Sequence, residues 1–230
     1  MCLTLSTYRL VGTIATVPDN RVVDAVVFDY GGVLTTPLSA TTGGWLAADG
    51  IDPAGFAALM QAWLGRDAEP DNPIHLLETG ALPVAEFERQ FAARLVSTTG
   101  APVVAEGVLG RLFAAMSPSE EMNQLVRDLR ERGQRIGLLS NSWGNDYPHD
   151  VLDELCDVVV ISGEVGLRKP DEPIYRLLLD RLDLPAERVV FVDDFTANVR
   201  AAQAIGMHGI RHVDPASTRA ALAELLGEDL

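Results

Sequence analysis

Asp29, Ser140, Lys169 and the adjacent acids Asp193 and Asp194 are the residues of this 230-residue chain whose types and order suit joint chemistry. A carboxylate is a weak nucleophile until a divalent cation neutralises it and holds the group under attack beside it. Magnesium prefers a few hard oxygen ligands plus waters, and Asp29 with the Asp193-Asp194 pair supplies such oxygens. Without a cation the two neighbouring acids would repel each other. Lys169 would balance an anionic phosphate, and the Ser140 hydroxyl with nearby backbone N–H groups would hold its oxygens. The expected course is attack by Asp29, an aspartyl intermediate, and then attack by water. Taken singly, each residue has a plainer reading. An Asp after an apolar run is usually turn chemistry, Ser-Asn a turn or cap, and Lys-Pro a solvated pair. Their joint occurrence in this order is what points to a site.

The elements that must position them can be read from hydrophobic patterning. An apolar, β-branched run at 22–28 predicts a buried parallel strand ending in Asp29-Tyr30-Gly31-Gly32. Comparable runs lie at 135–139, 158–161, 188–192 and 209–213, with helical patterns between them. The alternation predicts an α/β fold, a doubly wound parallel sheet of the Rossmann-like kind. Ligands of such sheets bind beyond the carboxyl ends of the strands. The candidate residues all follow strands, so they are expected to meet at one sheet edge.

Ser117-Pro118-Ser119-Glu120 predicts a capping box with proline at the first helical position. Met122, Leu125, Val126 and Leu129 then form an apolar face, and Gly133 stops the helix. A second helix is expected after Pro173, with Ile174, Leu177, Leu178 and Leu182 on one face, and a third over about 195–205. Residues 37–116 show amphipathic patterns at 53–64 and 84–96 but no strand, so this stretch reads as a helical insertion. Residues 1–21 fit neither unit.

Hydrophobic residues make up 47% of the chain and charged ones 22%, enough for one core or a core plus a small second domain. The formal charge of −15 repels nucleic acid and anionic membranes. A phosphate site on such a surface needs a local cation. Cys2 and Cys156 make neither a disulfide framework nor a zinc site, and they read as ordinary thiols. No apolar run approaches bilayer-spanning length, and residues 10–17 make a poor signal peptide. A cytoplasmic enzyme with a small phosphorylated substrate is expected, with neither nucleic acid nor membrane as partner.

Phe28-Asp29-Tyr30-Gly31-Gly32-Val33-Leu34 resembles the first motif of the haloacid-dehalogenase superfamily. Leu138-Leu139-Ser140-Asn141 resembles its second, Lys169-Pro170 its third, and Phe191-Val192-Asp193-Asp194 its fourth. Ser140-Asn141-Ser142-Trp143, Gly166-Leu167-Arg168-Lys169-Pro170 and the run from Asp193 to Asn198 are more specifically similar to the N-terminal phosphatase domain of soluble epoxide hydrolase. They are also similar to bacterial sugar-phosphate phosphatases. The resemblance implies Asp29 as nucleophile, and Ser140 and Lys169 as binders of the transferred group. It implies Mg2+ held by Asp29, the Gly31 carbonyl, Asp193 and Asp194. Asn141 and Asn198 match positions that orient the substrate or brace the loops. The implied organisation is an α/β catalytic core of residues 1–36 and 117–230, with 1–21 an unassigned extension, and a helical cap of 37–116 that closes over the site.

One position departs from the pattern. Most phosphatases of the superfamily carry a second Asp two residues after the nucleophile, where this chain has Gly31. The loss removes general acid–base catalysis, typically worth about 10²–10⁴-fold. The expectation is a phosphatase for good leaving groups, or one in which a cap residue, Thr35 or Thr36 supplies the proton. Two other readings stay open: a 2-haloacid dehalogenase-like hydrolase, and a decayed binding protein on the same fold. Around the site, Trp143 is expected to shape the pocket or pack the core. His75 and Arg66 are expected on the surface, Trp45 and Trp63 in packing, and His208 and His212 away from any metal.

Overall fold

A computed structural model describes residues 22–65, 68–69, 71–144, 147–227 and 230. The 1–21 extension, with Cys2, and Arg66 lie outside the described residues. In chain order the elements are β1 (Ala25–Phe28), α1 (Leu38–Ala48), α2 (Pro53–Leu64), α3 (Pro73–Glu78), α4 (Val84–Arg94), α5 (Val108–Phe113) and α6 (Glu120–Glu131). They continue as β2 (Arg135–Ser140), α7 (His149–Leu155), β3 (Val158–Ile161), α8 (Ser162–Val165), α9 (Glu172–Leu182), β4 (Val189–Asp193), α10 (Thr196–Ala204), β5 (His208–Arg211) and α11 (Pro215–Leu226).

The strands form one parallel sheet in the order β3-β2-β1-β4-β5. Each of the five predicted strand runs is present, with ends moved by a few residues; the last begins at His208 and stops at Arg211. All four residues of β1 are buried because both faces of the sheet are covered. Val26 and Phe28 point into one core with Met122, Leu125, Val126 and Leu129 of α6. Ala25 and Val27 point into a second core with Ile174, Tyr175 and Leu178 of α9. The sheet is therefore doubly wound, as its alternating pattern predicts. Register aligns Phe28 with Leu138 on one side and Val192 on the other, so the chain segments leaving β1, β2 and β4 emerge side by side.

Among the described residues, the five helices between Leu38 and Phe113 share a third hydrophobic cluster, in which Trp45, Trp63, Phe87 and Phe91 stack and tilt on one another. Trp45 and Trp63 are packing residues, as expected. His208 and His212 also go separate ways, to Glu187 O and Thr218 Oγ1. Cys156 is a buried thiol whose pKa burial pushes up to about 12.

The expected capping box does not form. Ser119 is the N-cap but makes no side-chain cap bond, and the helix begins at Glu120. Pro118 instead bridges Thr35, and Ser119 N donates to Leu34 O, which keeps the chain extended one residue past the proline. The apolar face of α6 and the stop near Gly133, at φ +80°, are as read from sequence. Among the described residues, no helix is long and apolar enough to cross a membrane.

Candidate active site

Asp29, Ser140 and Asp193 stand at the carboxyl ends of β1, β2 and β4, and Lys169 reaches in from the loop after α8. The sheet edge brings them together. Lys169 is 1% exposed, and its Nζ lies 2.8 Å from Asp29 Oδ1, 2.7 Å from Asp193 Oδ2 and 2.9 Å from Leu139 O. Asp193 is 0% exposed and fully engaged. Besides Lys169, its carboxylate accepts from Phe195 N at 2.7 Å and from the Asn198 amide at 3.0 and 3.2 Å. Asn141 joins two loops reciprocally. Its side chain donates to Lys169 O at 3.0 Å and accepts from Lys169 N at 2.8 Å. Asn141 and Asn198 thus both brace the groups around Lys169, and both also line the cavity described below. The Ser140 hydroxyl pairs with the Tyr147 hydroxyl at 2.9 Å.

Asp29, Asp193 and Asp194 each present a carboxylate oxygen within 4.8 Å of the others. Three acids face one lysine, so the cluster is left with excess negative charge. Burial pushes the Asp29 carboxyl up to about 7 even against the pull of Lys169. Burial, and then the Asp193 charge, push Asp194 up to about 6. Burial alone would lower the Lys169 pKa, but Asp193 and Asp29 outweigh it and hold the ammonium above its ordinary range. Asp194 Oδ1 is buried with no hydrogen-bond partner. An orphaned carboxylate oxygen in an under-neutralised acidic cluster fits a hard divalent cation.

The turn after Asp29, Tyr30–Leu34, makes room for this cluster. Gly32 sits at φ +77°, and a Cβ there would fall 2.7 Å from Asp194 Oδ2, so glycine is required on both counts. Gly31 has ordinary φ −70° and ψ 122°, with nothing within 4 Å of an added Cβ. Thr35 closes the turn, and Thr36 ties the chain leaving it to Ser117. The Thr35 hydroxyl accepts from Gly32 N, and that of Thr36 accepts from Ser117 N.

Lys169 also carries structural weight. Lys169→Met leaves Asp29 and Asp193 buried without their counter-charge and is expected to cost about 3–5 kcal/mol of stability. Denaturant unfolding of the metal-free protein measures this. A loss below about 1 kcal/mol would show that the ammonium is not what holds the carboxylates in place.

Above the cluster opens a cavity of about 1000 Å³, with Asp29, Ser140, Lys169 and Asp194 on its floor. Its roof comes from the helical insertion, chiefly Phe56, Met60, Leu64 and Phe113. His75 lines the same cavity rather than the outer surface, because α3 is drawn down onto the sheet edge. Sequence reasoning missed what draws it. Buried Glu78 closes an ion pair with Arg168 at 2.7 Å, accepts from Trp143 Nε1 at 3.0 Å, and takes the Ser162 hydroxyl on its backbone carbonyl. Gly80, at φ +72°, lies so close to Gly163 that a Cβ would meet its carbonyl oxygen at 2.7 Å. Trp143 packs edge-on against Phe113, so it shapes the pocket wall. A Glu closing a short helix carries no signal of its own in sequence. Arg168, next to Lys169 in sequence, is the cation that could have pointed to a buried acid.

Residues 23–206 match the family described as haloacid dehalogenase-like hydrolase. The chain belongs to that family of hydrolases. It is 30% identical over 214 residues to the sesquiterpene phosphatase astK of Aspergillus oryzae, covering 88% of this chain and 96% of that protein. It is 27% identical over 218 residues to bifunctional epoxide hydrolase 2 of Sus scrofa, covering 87% of this chain but only 38% of that longer protein. A haloacid-dehalogenase-family enzyme of Bacteroides thetaiotaomicron, solved with magnesium and inorganic phosphate, shares the fold at TM-score 0.61 and 18% identity. That match covers 83% of this chain and 94% of the other. A solved dehalogenase shares it at TM-score 0.58 and 24% identity, over 82% and 84% of the two chains.

Proposed function

We propose that this hydrolase is a magnesium-dependent phosphatase that cleaves a small phosphate monoester through an aspartyl-phosphate on Asp29. The observation that carries the reading is the cluster of Asp29, Asp193 and Asp194 around Lys169 at the floor of a cavity, with Asp194 Oδ1 left without a partner. Asp29, Asp194, the Gly31 carbonyl and Asp193 are the groups that would hold magnesium. Bound there, the ion would supply charge neutralisation for the carboxylate nucleophile and for the phosphate oxygens.

The remaining roles fall to the chain's own residues. Asp29 attacks phosphorus, the ester P–O bond breaks, and the alcohol leaves. Water then hydrolyses the acyl phosphate. Ser140 and Lys169 bind the transferred group, while Asn141 and Asn198 keep Lys169 and Asp193 in register. Residues 37–116 act as the cap over a core of 1–36 and 117–230. His75 lines the cavity on the cap side, and its imidazole is the cap's candidate for a proton carrier should alkyl esters be hydrolysed as fast as aryl ones. Cys2 and Cys156, too few and too far apart in sequence for a disulfide framework, fit a reducing, cytoplasmic setting.

The similar Aspergillus protein is a phosphatase, which supports the reaction class. Likeness to a dehalogenase at 24% identity concerns the fold, and that chemistry gives the Asp194 carboxylate no partner. Chelator is expected to stop phosphate release and magnesium to restore it. Magnesium should also raise the melting temperature, since a ligand bound only by the native state stabilises it. Full activity in excess chelator would refute the assignment.

A further inference from the structure

The geometry points to a substrate whose alcohol is a hydrocarbon, and assigns the cavity roof as the chamber for its tail. This rests on the phosphatase reading and deepens it. The cavity is continuous from Asp29 and Lys169 to the insertion, and its volume of about 1000 Å³ far exceeds what a phosphate group fills. Pockets of this size typically enclose a whole drug-sized molecule. The two ends differ in chemistry. Charged and polar side chains crowd the floor, whereas Leu38, Phe56, Met60, Leu64, Phe113 and Met116 face the space above it.

All six are partly exposed, although all but Met116 also pack against the insertion's core around Trp45, Phe87 and Phe91. Large apolar side chains that back onto a core and stay open to a cavity on their other side form a surface for an apolar ligand.

A sugar phosphate is a poor match. Each hydroxyl taken from water needs a partner, or its desolvation is uncompensated. The insertion offers few polar side chains to the cavity, and Glu78 and Thr42 are already engaged within the protein. Both Glu78 carboxylate oxygens are held by Trp143 and Arg168, and the Thr42 hydroxyl donates to Leu38 O at 2.6 Å. Among the described lining residues of the insertion, Ser39 and His75 are the other polar side chains. A branched or straight hydrocarbon asks for no hydrogen bonds and gains from every methylene it buries.

The test uses ethyl, hexyl and decyl phosphate, with glucose 6-phosphate as the polar comparison. Binding to magnesium-loaded Asp29→Asn protein is followed by calorimetry, and turnover is followed with the unaltered enzyme. Affinity and kcat/KM are expected to rise by up to about fourfold per buried methylene, and at least about 10²-fold from ethyl to decyl. Met60→Gln and Leu64→Gln should each cut the decyl-to-ethyl ratio at least about tenfold. Both residues lie on α2 one turn apart, so thermal unfolding of each variant checks its fold, and the chain-length series decides the proposal without them if neither folds. Affinity that stays flat along the series, or glucose 6-phosphate bound as tightly as hexyl phosphate, overturns the chamber. If phosphate is still released in that case, the phosphatase reading survives alone. Affinity that climbs with chain length while neither these esters nor phenyl phosphate is hydrolysed has the opposite meaning: the chamber stands and the phosphatase reading fails.

Discussion

Asp29→Asn protein is expected to lose at least about 10⁴-fold of its turnover, the scale seen when a nucleophile is removed. It should keep its fold. The amide has nearly the carboxylate's shape, and Asp29 sits at a strand end whose backbone N–H is already tied to Val192 O. Replacing it also removes one of three crowded negative charges, while Lys169 keeps its contact with Asp193 at 2.7 Å. The melting temperature should therefore move little, and magnesium should still raise it through Asp193 and Asp194. Phosphate release under single-turnover conditions is the measurement. Pure Asp29→Asn protein with more than a trace of activity would remove the aspartyl-phosphate from consideration.

The second large effect is expected at Gly31. Lacking a carboxylate there, the unaltered enzyme should hydrolyse aryl or acyl phosphates much faster than primary alkyl phosphates of similar size. Gly31→Asp should speed the alkyl esters by about 10²–10⁴-fold and leave aryl esters nearly unchanged. The backbone permits the change, since φ −70° suits any residue and an added Cβ meets nothing within 4 Å. The neighbouring Gly32, with positive φ and Asp194 against it, would not tolerate it. Comparing kcat/KM for phenyl and hexyl phosphate in both proteins decides the matter. If the unaltered enzyme already treats the two alike, the proton comes from elsewhere, and His75→Gln then becomes the informative variant. Chain-length preference within the alkyl series is a separate quantity and does not depend on this outcome.

Much of the floor of the site was legible in sequence because strand ends in a parallel sheet converge by topology. Asp29, Ser140 and Asp193 each close an apolar run, so reading the runs was enough to place them at one edge. The long amphipathic helices α2, α4 and α6 were legible for the same reason, their apolar faces repeating over three turns. The six-residue helices α3 and α5 are too short to show a period. In α1, Thr41, Thr42, Gly43 and Gly44 argue against a helix locally, and packing of Trp45 and Leu46 overrides them. The misread at Ser117 to Glu120 has the same origin. A local capping signal lost to the long-range bridge between Thr35 and Pro118. Glu78 was invisible as a site residue, and His75 was expected on the surface, because their places come from how α3 docks, which depends on Gly80 approaching Gly163.

That docking sets how this chain tolerates change. Glu78 is bound to Trp143 beside one motif and to Arg168 beside another, so the roof hangs from the sheet by a short polar seam. The residues that choose what enters the chamber, such as Phe56 and Met60, sit apart from that seam on another helix. Selection can therefore rewrite the roof for a new alcohol without disturbing the alignment of the catalytic loops. Drift at Glu78, Gly80 or Gly163 has no such freedom, because each change there is felt at the phosphate end first.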